Sequence, residues 1–258
     1  MVIIKTKKEI GLIREGGKIL AGILDRLVRE VEPGTTTGQL EELACSLMAK
    51  AGGRPAFKGY GAGQGARPFP TALCTSVNDQ VVHTPAFPAR RLEEGDIIGI
   101  DIGIEYKGYY TDMAATVPVG RVSGEAGRLI EVTRESLNRG IAQVRPGKTL
   151  KDIGRAIQTY VEANGFSVVR QLVGHGVGRE VHEDPQIPNF VIENKRFNNV
   201  ILKEGMVIAI EPMVNVGDFE VETAEDGFSI VTTDGSLSAH FEHTIAVTKN
   251  GYEILTRA

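Results

Sequence analysis

The stretch IIGIDIGIEYKGYYTDMA, residues 97–114, decides how this chain folds. It sets two carboxylates, Asp101 and Asp112, into runs that otherwise read as buried strand. A turn at Tyr106, Lys107 and Gly108 predicts an antiparallel hairpin. With the turn centred between Tyr106 and Lys107, position 101 pairs directly with position 112. The two side chains then share a face with their Cβ atoms about 5 Å apart. A slip of one residue sends them to opposite faces. Two ionised carboxylates that close, in apolar surroundings, are costly unless something positive lies between them. Either they share a proton or they hold metal.

The rest of the chain supplies context for that choice. Residues 6–30 predict a helix: Thr6 and Glu9 form a capping box, and Ile10, Ile13, Leu20, Leu24, Leu27 and Val31 recur at helical spacing. Pro33 and Gly34 break it. A second helix starts at Thr36 or Thr37 and ends at Gly52 and Gly53. Residues 53–70, rich in Gly and Pro, predict a long loop. Residues 71–83 read as strand, turn at Asn78 and Asp79, strand.

The second half repeats the first. VEPGTT at 31–36 matches VRPGKT at 144–149, and EGDIIGID at 94–101 matches EGMVIAIE at 204–211, which sets Asp101 opposite Glu211. DMAATV at 112–117 can be set against EHTIAV at 242–247, which sets Asp112 opposite Glu242. Three matches in one order predict a pseudo-twofold domain, halves about 6–122 and 123–258, with the acidic positions converging at its centre. No low-complexity linker divides them, so one domain over 1–258 is expected.

Asp101, Asp112, His175, Glu211 and Glu242 stand out as acidic or imidazole groups in apolar or Gly-rich settings. Four carboxylates carry the charge that two divalent cations neutralise, and with one imidazole they suit Mn, Fe, Co or Zn. Two of them could bridge ions about 3.5–4 Å apart, as in two-metal hydrolases. A water held there becomes hydroxide at neutral pH, a nucleophile that needs no Ser or Cys. No HExxH, GxSxG or Walker A sequence competes with this reading.

Composition excludes other classes. The chain has 258 residues, 41% hydrophobic and 24% charged, with a net charge of −4. That is an ordinary globular profile with no global attraction to nucleic acid or anionic membrane. No apolar run approaches the ~20 residues that span a bilayer, and no signal peptide is expected. Two cysteines, Cys45 and Cys74, make no disulfide framework, which points to a reducing cytoplasm. Lys5, Lys7, Lys8 and Arg14 form a modest basic cluster near the start.

The strings DIGIEYKGYYTDMA, GHGVGREVHEDP, IAIEPM and SAHFEHTIAVT occur in this order and resemble those of the type I methionine aminopeptidases, over roughly residues 6–252. The resemblance implies the α+β "pita-bread" fold of creatinases and aminopeptidases. Two pseudo-symmetric halves, antiparallel sheet covered by helices, surround a dinuclear centre. It implies two divalent ions (Co, Mn, Fe or Zn), one held by Asp101, the other by His175 and Glu211, with Asp112 and Glu242 bridging. It implies that His182 binds the scissile carbonyl or its oxyanion, His83 the amide nitrogen, and that Glu211 shuttles a proton to the leaving amine. Phe57, Tyr60, Cys74 and Phe228, helped by Val181, would hold the methionine side chain. The chain departs from the family at Phe57, at Phe228, in the loop 61–70 and at His240, which stands where Gln is usual.

The implied activity is removal of the initiator methionine from nascent chains with a small second residue. Nascent N-termini are the implied partners, possible contact with the ribosome near the exit tunnel is a family expectation, and a monomer with no nucleic-acid or membrane partner is implied. The nearest alternative is a proline-directed relative, prolidase or aminopeptidase P, which carries an additional N-terminal domain. A non-catalytic pita-bread binding protein is another, but such proteins lose ligands that are all present here. His182 and Glu211 lie 29 residues apart, which leaves no room for the helical insertion of type II enzymes.

Overall fold

The computed structural model describes residues 2–62, 67–192 and 200–257. Among the described residues four helices carry the outer layer: α1 Lys7–Arg29, α2 Thr37–Lys50, α3 Gly124–Ile141 and α4 Leu150–Ala163. The first-half strands are β1 Arg54–Pro55, β2 Leu73–Val77, β3 Gln80–Val82, β4 Ile97–Tyr106 and β5 Tyr109–Pro118. The second half adds β6 Ser167–Val168, β7 Gly174–Gly176, β8 Glu183–Ile187, β9 Val207–Ile210 and β10 Met213–Asn215. It closes with β11 Val221–Thr223, β12 Ile230–Thr232, β13 Ser238–His240, β14 Glu242–Thr248 and β15 Gly251–Ile254. Among the described residues one antiparallel sheet runs β1-β4-β5-β14-β9-β7-β8, with β2 beside β4 and β15 beside β14.

Local chemistry sets the helix starts. Thr6 accepts from the amide of Glu9 while the Glu9 carboxylate accepts from the amide of Thr6, a reciprocal capping box. Thr36 and Gln39 make the same arrangement at α2, so of the two expected starts Thr36 is the cap and Thr37 the first helical residue. Leu20, Leu24, Leu27, Leu40 and Met48 face inward from these helices onto Ile98, Ile100, Ile102 and Ile104 of β4. Leu129, Leu137, Ile153, Ile157 and Val161 of α3 and α4 pack on Ile208, Ile210 and Ile245. Each half thus has its own core, every large side chain in it contributing about 1.5–3 kcal/mol by leaving water.

Hydrogen bonds repeat with the sequence. Gly34 N–H donates to Leu92 and Gly147 N–H to Leu202; Leu92 N–H donates to Thr35 and Leu202 N–H to Lys148. Gly95 N–H donates to Val119 and Gly205 N–H to Val247. β5 and β14 pair where the halves meet, Glu242 opposite Ala114 and His243 opposite Met113.

Two expected registers are corrected. The hairpin turns at Lys107 and Gly108, both with positive φ, and Tyr106 pairs with Tyr109. This two-residue loop, with both central residues left-handed, matches strand twist. Centring it there moves the pairing by two positions: Asp101 opposes Ala114, and Asp112 opposes Gly103. A shift of two preserves the face, so the aspartates are diagonal neighbours on one side of the sheet. The second correction concerns the repeat. Asp101 pairs with Ala114 in β4 and β5, and Gly103 with Asp112; in the other half Met213 pairs with His240 and Ile210 with His243. In this register Glu242 is the counterpart of Ala114, and Asp112 is the counterpart of His240, not of Glu242.

α1 shows how tightly the layers fit. A Cβ at Gly17 would lie 2.3 Å from the Leu255 carbonyl oxygen, whereas one at Gly11 meets nothing within 4 Å. Gly17→Ala should cost about 1–3 kcal/mol by overpacking against backbone. Gly11→Ala should stabilise by about 0.5–1 kcal/mol through helix propensity. Thermal melts of the two variants should move in opposite directions.

Candidate metal centre and substrate cleft

The residues nominated from the sequence as ligands, catalytic histidines or methionine-pocket walls line one cavity of about 740 Å³, except Val181, which packs on Phe57 and Cys74 without lining it. β4 and β5 bring Asp101 and Asp112, β7 brings His175, and β14 opens with Glu242. Glu211 stands between β9 and β10, where Asn189 donates to its carbonyl at 3.0 Å.

The electrostatics are those of negative charge packed without compensation. Burial pushes Asp101 up to about 6, with Glu211 adding and His240 opposing. Burial pushes Glu211 up to about 7. Asp112 and Glu242 are raised well above the ordinary carboxylate range, by burial first, then by the neighbouring acids. Asp101 Oδ1, Asp112 Oδ1, Glu242 Oε1 and His240 Nε2 are buried without a hydrogen-bond partner. Orphaned acceptors of this kind cost stability unless something satisfies them.

A divalent cation would compensate that buried negative charge. Asp112, His175 and Glu242 each offer a ligand atom within 4.8 Å of the others, and so do Glu211, His240 and Glu242. His175 Nδ1 lies 2.9 Å from the Gly176 carbonyl and donates to it. Its Nε2 lone pair is thereby left facing Glu211 Oε1 at 3.5 Å and Glu242 Oε1 at 4.0 Å. Hard carboxylate oxygens with one imidazole are a donor set for first-row divalent metals. His240, which stands where Gln is usual in the family, has its Nε2 3.6 Å from Glu211 Oε2, and burial lowers its pKa.

His83 and His182 face the cavity from separate loops. His83 has φ of 61°, a left-handed conformation that a non-glycine residue adopts at some cost. Burial, with His240 adding, lowers it to about 4. His182 stacks edge-on against His175, ring centroids 4.4 Å apart, and its Nδ1 lies 2.7 Å from the Tyr60 hydroxyl. Burial, then the charges of His175 and His83, bring it to about 3. Both imidazoles are therefore neutral at pH 7 and able to donate one N–H each.

An apolar wall adjoins the acids. Phe57, Cys74 and Val181 pack together, with Phe69 and Tyr110 at the edge. Phe228 meets Phe69 edge-on at 5.7 Å and carries the Arg67 guanidinium over its face at 4.7 Å. A Cβ at Gly103, opposite Asp112, would lie 2.8 Å from the Phe57 ring, so the glycine lets that ring close over the sheet. Phe69, Arg67, Leu172 and Met213 also line the cavity and were not nominated from sequence. They sit in loops or on short strands with no spacing signal. The loop 61–70 lies partly outside the described residues.

A family model described as metallopeptidase family M24 matches residues 11–249. Methionine aminopeptidase 1 of Bacillus subtilis (strain 168) is 48% identical over 258 residues, covering 100% of both chains. A crystal structure of methionine aminopeptidase from Thermotoga maritima superposes with a TM-score of 0.94 at 44% identity, again over 100% of both chains. A prolidase from Pyrococcus horikoshii is more distant, with a TM-score of 0.77 at 25% identity over 100% of this chain and 64% of that one. Full-length likeness to the one group and partial likeness to the other place the chain in metallopeptidase family M24, as a type I methionine aminopeptidase.

Proposed function

We infer that this enzyme removes the initiator methionine from polypeptides with a small second residue, working in the cytoplasm as a monomer with two divalent ions. The observation that carries the reading is the juxtaposition of a four-carboxylate, one-histidine cluster with an apolar pocket in a single cavity. Bound divalent ions supply an acidified water and polarise the scissile carbonyl. Asp101, Asp112, His175, Glu211 and Glu242 are the residues that would hold them.

The chain's own groups do the rest. Phe57, Tyr60, Cys74 and Phe228 take the methionine side chain, and their apolar surface excludes water from it. His182 presents a neutral N–H to the carbonyl oxygen and to the oxyanion that develops there. His83 holds the amide nitrogen. Glu211, with a pKa brought close to neutrality by burial, carries a proton to the leaving amine. No helix among the described residues is long and apolar enough to cross a membrane, which is compatible with the cytoplasmic assignment. Lys7 and Lys8, exposed at the start of α1, support the further reading that the enzyme works near the ribosome exit tunnel.

Protein loaded with Co(II) or Mn(II) should release free methionine from Met-Ala and Met-Gly peptides, and a chelator should abolish release. Preferential cleavage of Xaa-Pro peptides would overturn the substrate assignment.

A further inference from the structure

Lysine is seldom fully buried, and when it is, a partner of opposite charge explains it. Lys5 is 4% exposed, and its ammonium is bonded to the Glu183 carboxylate, itself buried. Nothing in the reaction uses either group. Their surroundings show what the pair connects.

Glu183 follows His182 directly. Its Oε2 takes the Lys5 ammonium, while its Oε1 accepts from the amides of Arg179 at 2.6 Å and Glu180 at 3.1 Å. One carboxylate thus closes the loop 179–183 on itself and ties it to the N-terminal segment. Lys5 is fixed from the other side, because its own N–H donates to the Gly205 carbonyl at 2.8 Å, just before β9 leads to Glu211. Gly178 makes room for the lysine stem: a Cβ there would lie 2.8 Å from Lys5 Cε, and its φ of +142° suits glycine. The Gly178 carbonyl accepts from Tyr110 at 2.7 Å, which fastens the loop to the strand that bears Asp112. A second ion pair runs parallel, Arg179 Nε to Glu9 Oε1 at 2.8 Å, with Glu9 already serving in the α1 cap.

We propose that Lys5 is a positioning residue: through Glu183 it holds the loop 178–183 so that the His182 imidazole stands against His175 at the mouth of the cavity. The proposal rests on the reading of His182 as a substrate-binding group. Removing the ammonium leaves the Glu183 carboxylate buried without its cation, and the loop relaxes toward solvent or takes up a proton. Either change moves His182, whose ring meets Tyr60 and His175 at its edges. A displacement of about 1 Å at a substrate-orienting group costs up to about 100-fold in rate.

The test compares Lys5→Met, Glu183→Gln, the double variant and His182→Ala, each loaded with Co(II) and assayed on a Met-Ala peptide. Lys5→Met should lower kcat by about 10- to 100-fold with unchanged metal content. The double variant, with no buried charge and with the amide oxygen still able to accept from residues 179 and 180, should recover most of that loss. In metal-free protein the His182 imidazole NMR resonance should move in Lys5→Met and return in the double variant. A variant that only loosened the fold would lower Tm without moving this resonance selectively. If Lys5→Met does not fold, Glu183→Gln carries the same comparison, with a smaller loss of kcat and a shifted His182 resonance. His182→Ala at wild-type kcat would overturn the reading of His182, and the positioning role with it. A defective His182→Ala beside a Lys5→Met with wild-type kcat and an unmoved His182 resonance would overturn the positioning role alone.

Discussion

Asp112→Asn should reduce methionine release by at least about a thousandfold, equivalent to about 4 kcal/mol of transition-state stabilisation, while making the metal-free protein more stable. The two effects have one origin. Asp112 is 3% exposed, and its Oδ1 lacks any hydrogen-bond partner. Burial and then Asp101 and Glu211 hold its pKa well above the usual range. Without cations its charge is destabilising, so an isosteric amide relieves the fold. Replacing buried charges with uncharged groups has been worth about 1–4 kcal/mol. With cations the same oxygen would serve as a ligand, and a neutral amide in its place binds a divalent ion more weakly. Paired melts with and without Co(II), together with the peptide assay, check both signs. A destabilised metal-free Asp112→Asn protein would contradict the electrostatic account.

The metal-free enzyme should also lose stability as pH rises above about 6.5, and added metal should remove that loss. The sign follows from which state binds more protons. Asp101 at about 6 and Glu211 at about 7 have folded values above the ordinary 3.8 and 4.5, and Asp112 and Glu242 are raised further. Folding therefore takes up protons, and stability present at low pH is lost as pH rises through the folded values. The histidines act oppositely. His83 and His243 at about 4 and His182 at about 3 lie below the ordinary 6.5, so their neutral folded forms cost stability as pH falls below 6.5. Below 6.5 the two sets offset one another; above it only the acids titrate. The expected slope there is about 1.4 kcal/mol per pH unit for each proton released. Metal at a hundred times its Kd returns about 2.7 kcal/mol, and more at pH 8 than at pH 6, since binding displaces those protons. Melts from pH 6 to 9, with and without Co(II), measure it. A metal-free Tm that stays level across that range would sink the claim that the acids are mutually destabilised.

Much of the site was legible in the sequence because its chemistry conflicts with its surroundings. Asp101 among isoleucines and Glu211 after Val-Ile-Ala-Ile announce themselves as buried acids in strands. The capping box at Thr6 and the glycines at 34 and 147 were equally readable, since caps and turns obey local rules. What escaped depends on tertiary contacts. The hairpin register turned on whether Lys107 would accept a positive φ, which propensity does not settle. The counterpart of Asp112 became His240 once strand pairing replaced string matching. Glu41, buried and accepting from the amides of Ala72 and Leu73 at 2.8 and 2.9 Å, carries no local pattern that separates it from a solvated helix acid. Lys5 looked like part of a basic surface cluster, and it is buried because Glu183 comes to it from far along the chain.

Four mutually repelling carboxylates and one histidine in one cavity are expected to hold two cations. Anomalous diffraction from crystals of the metal-loaded enzyme tests it most directly. Two peaks about 3.5–4 Å apart should appear, with Asp112 and Glu242 touching both, Asp101 one, and His175 and Glu211 the other. A pair of peaks that leaves Asp112 or Glu242 uncoordinated, or metal bound away from these five residues, would contradict it.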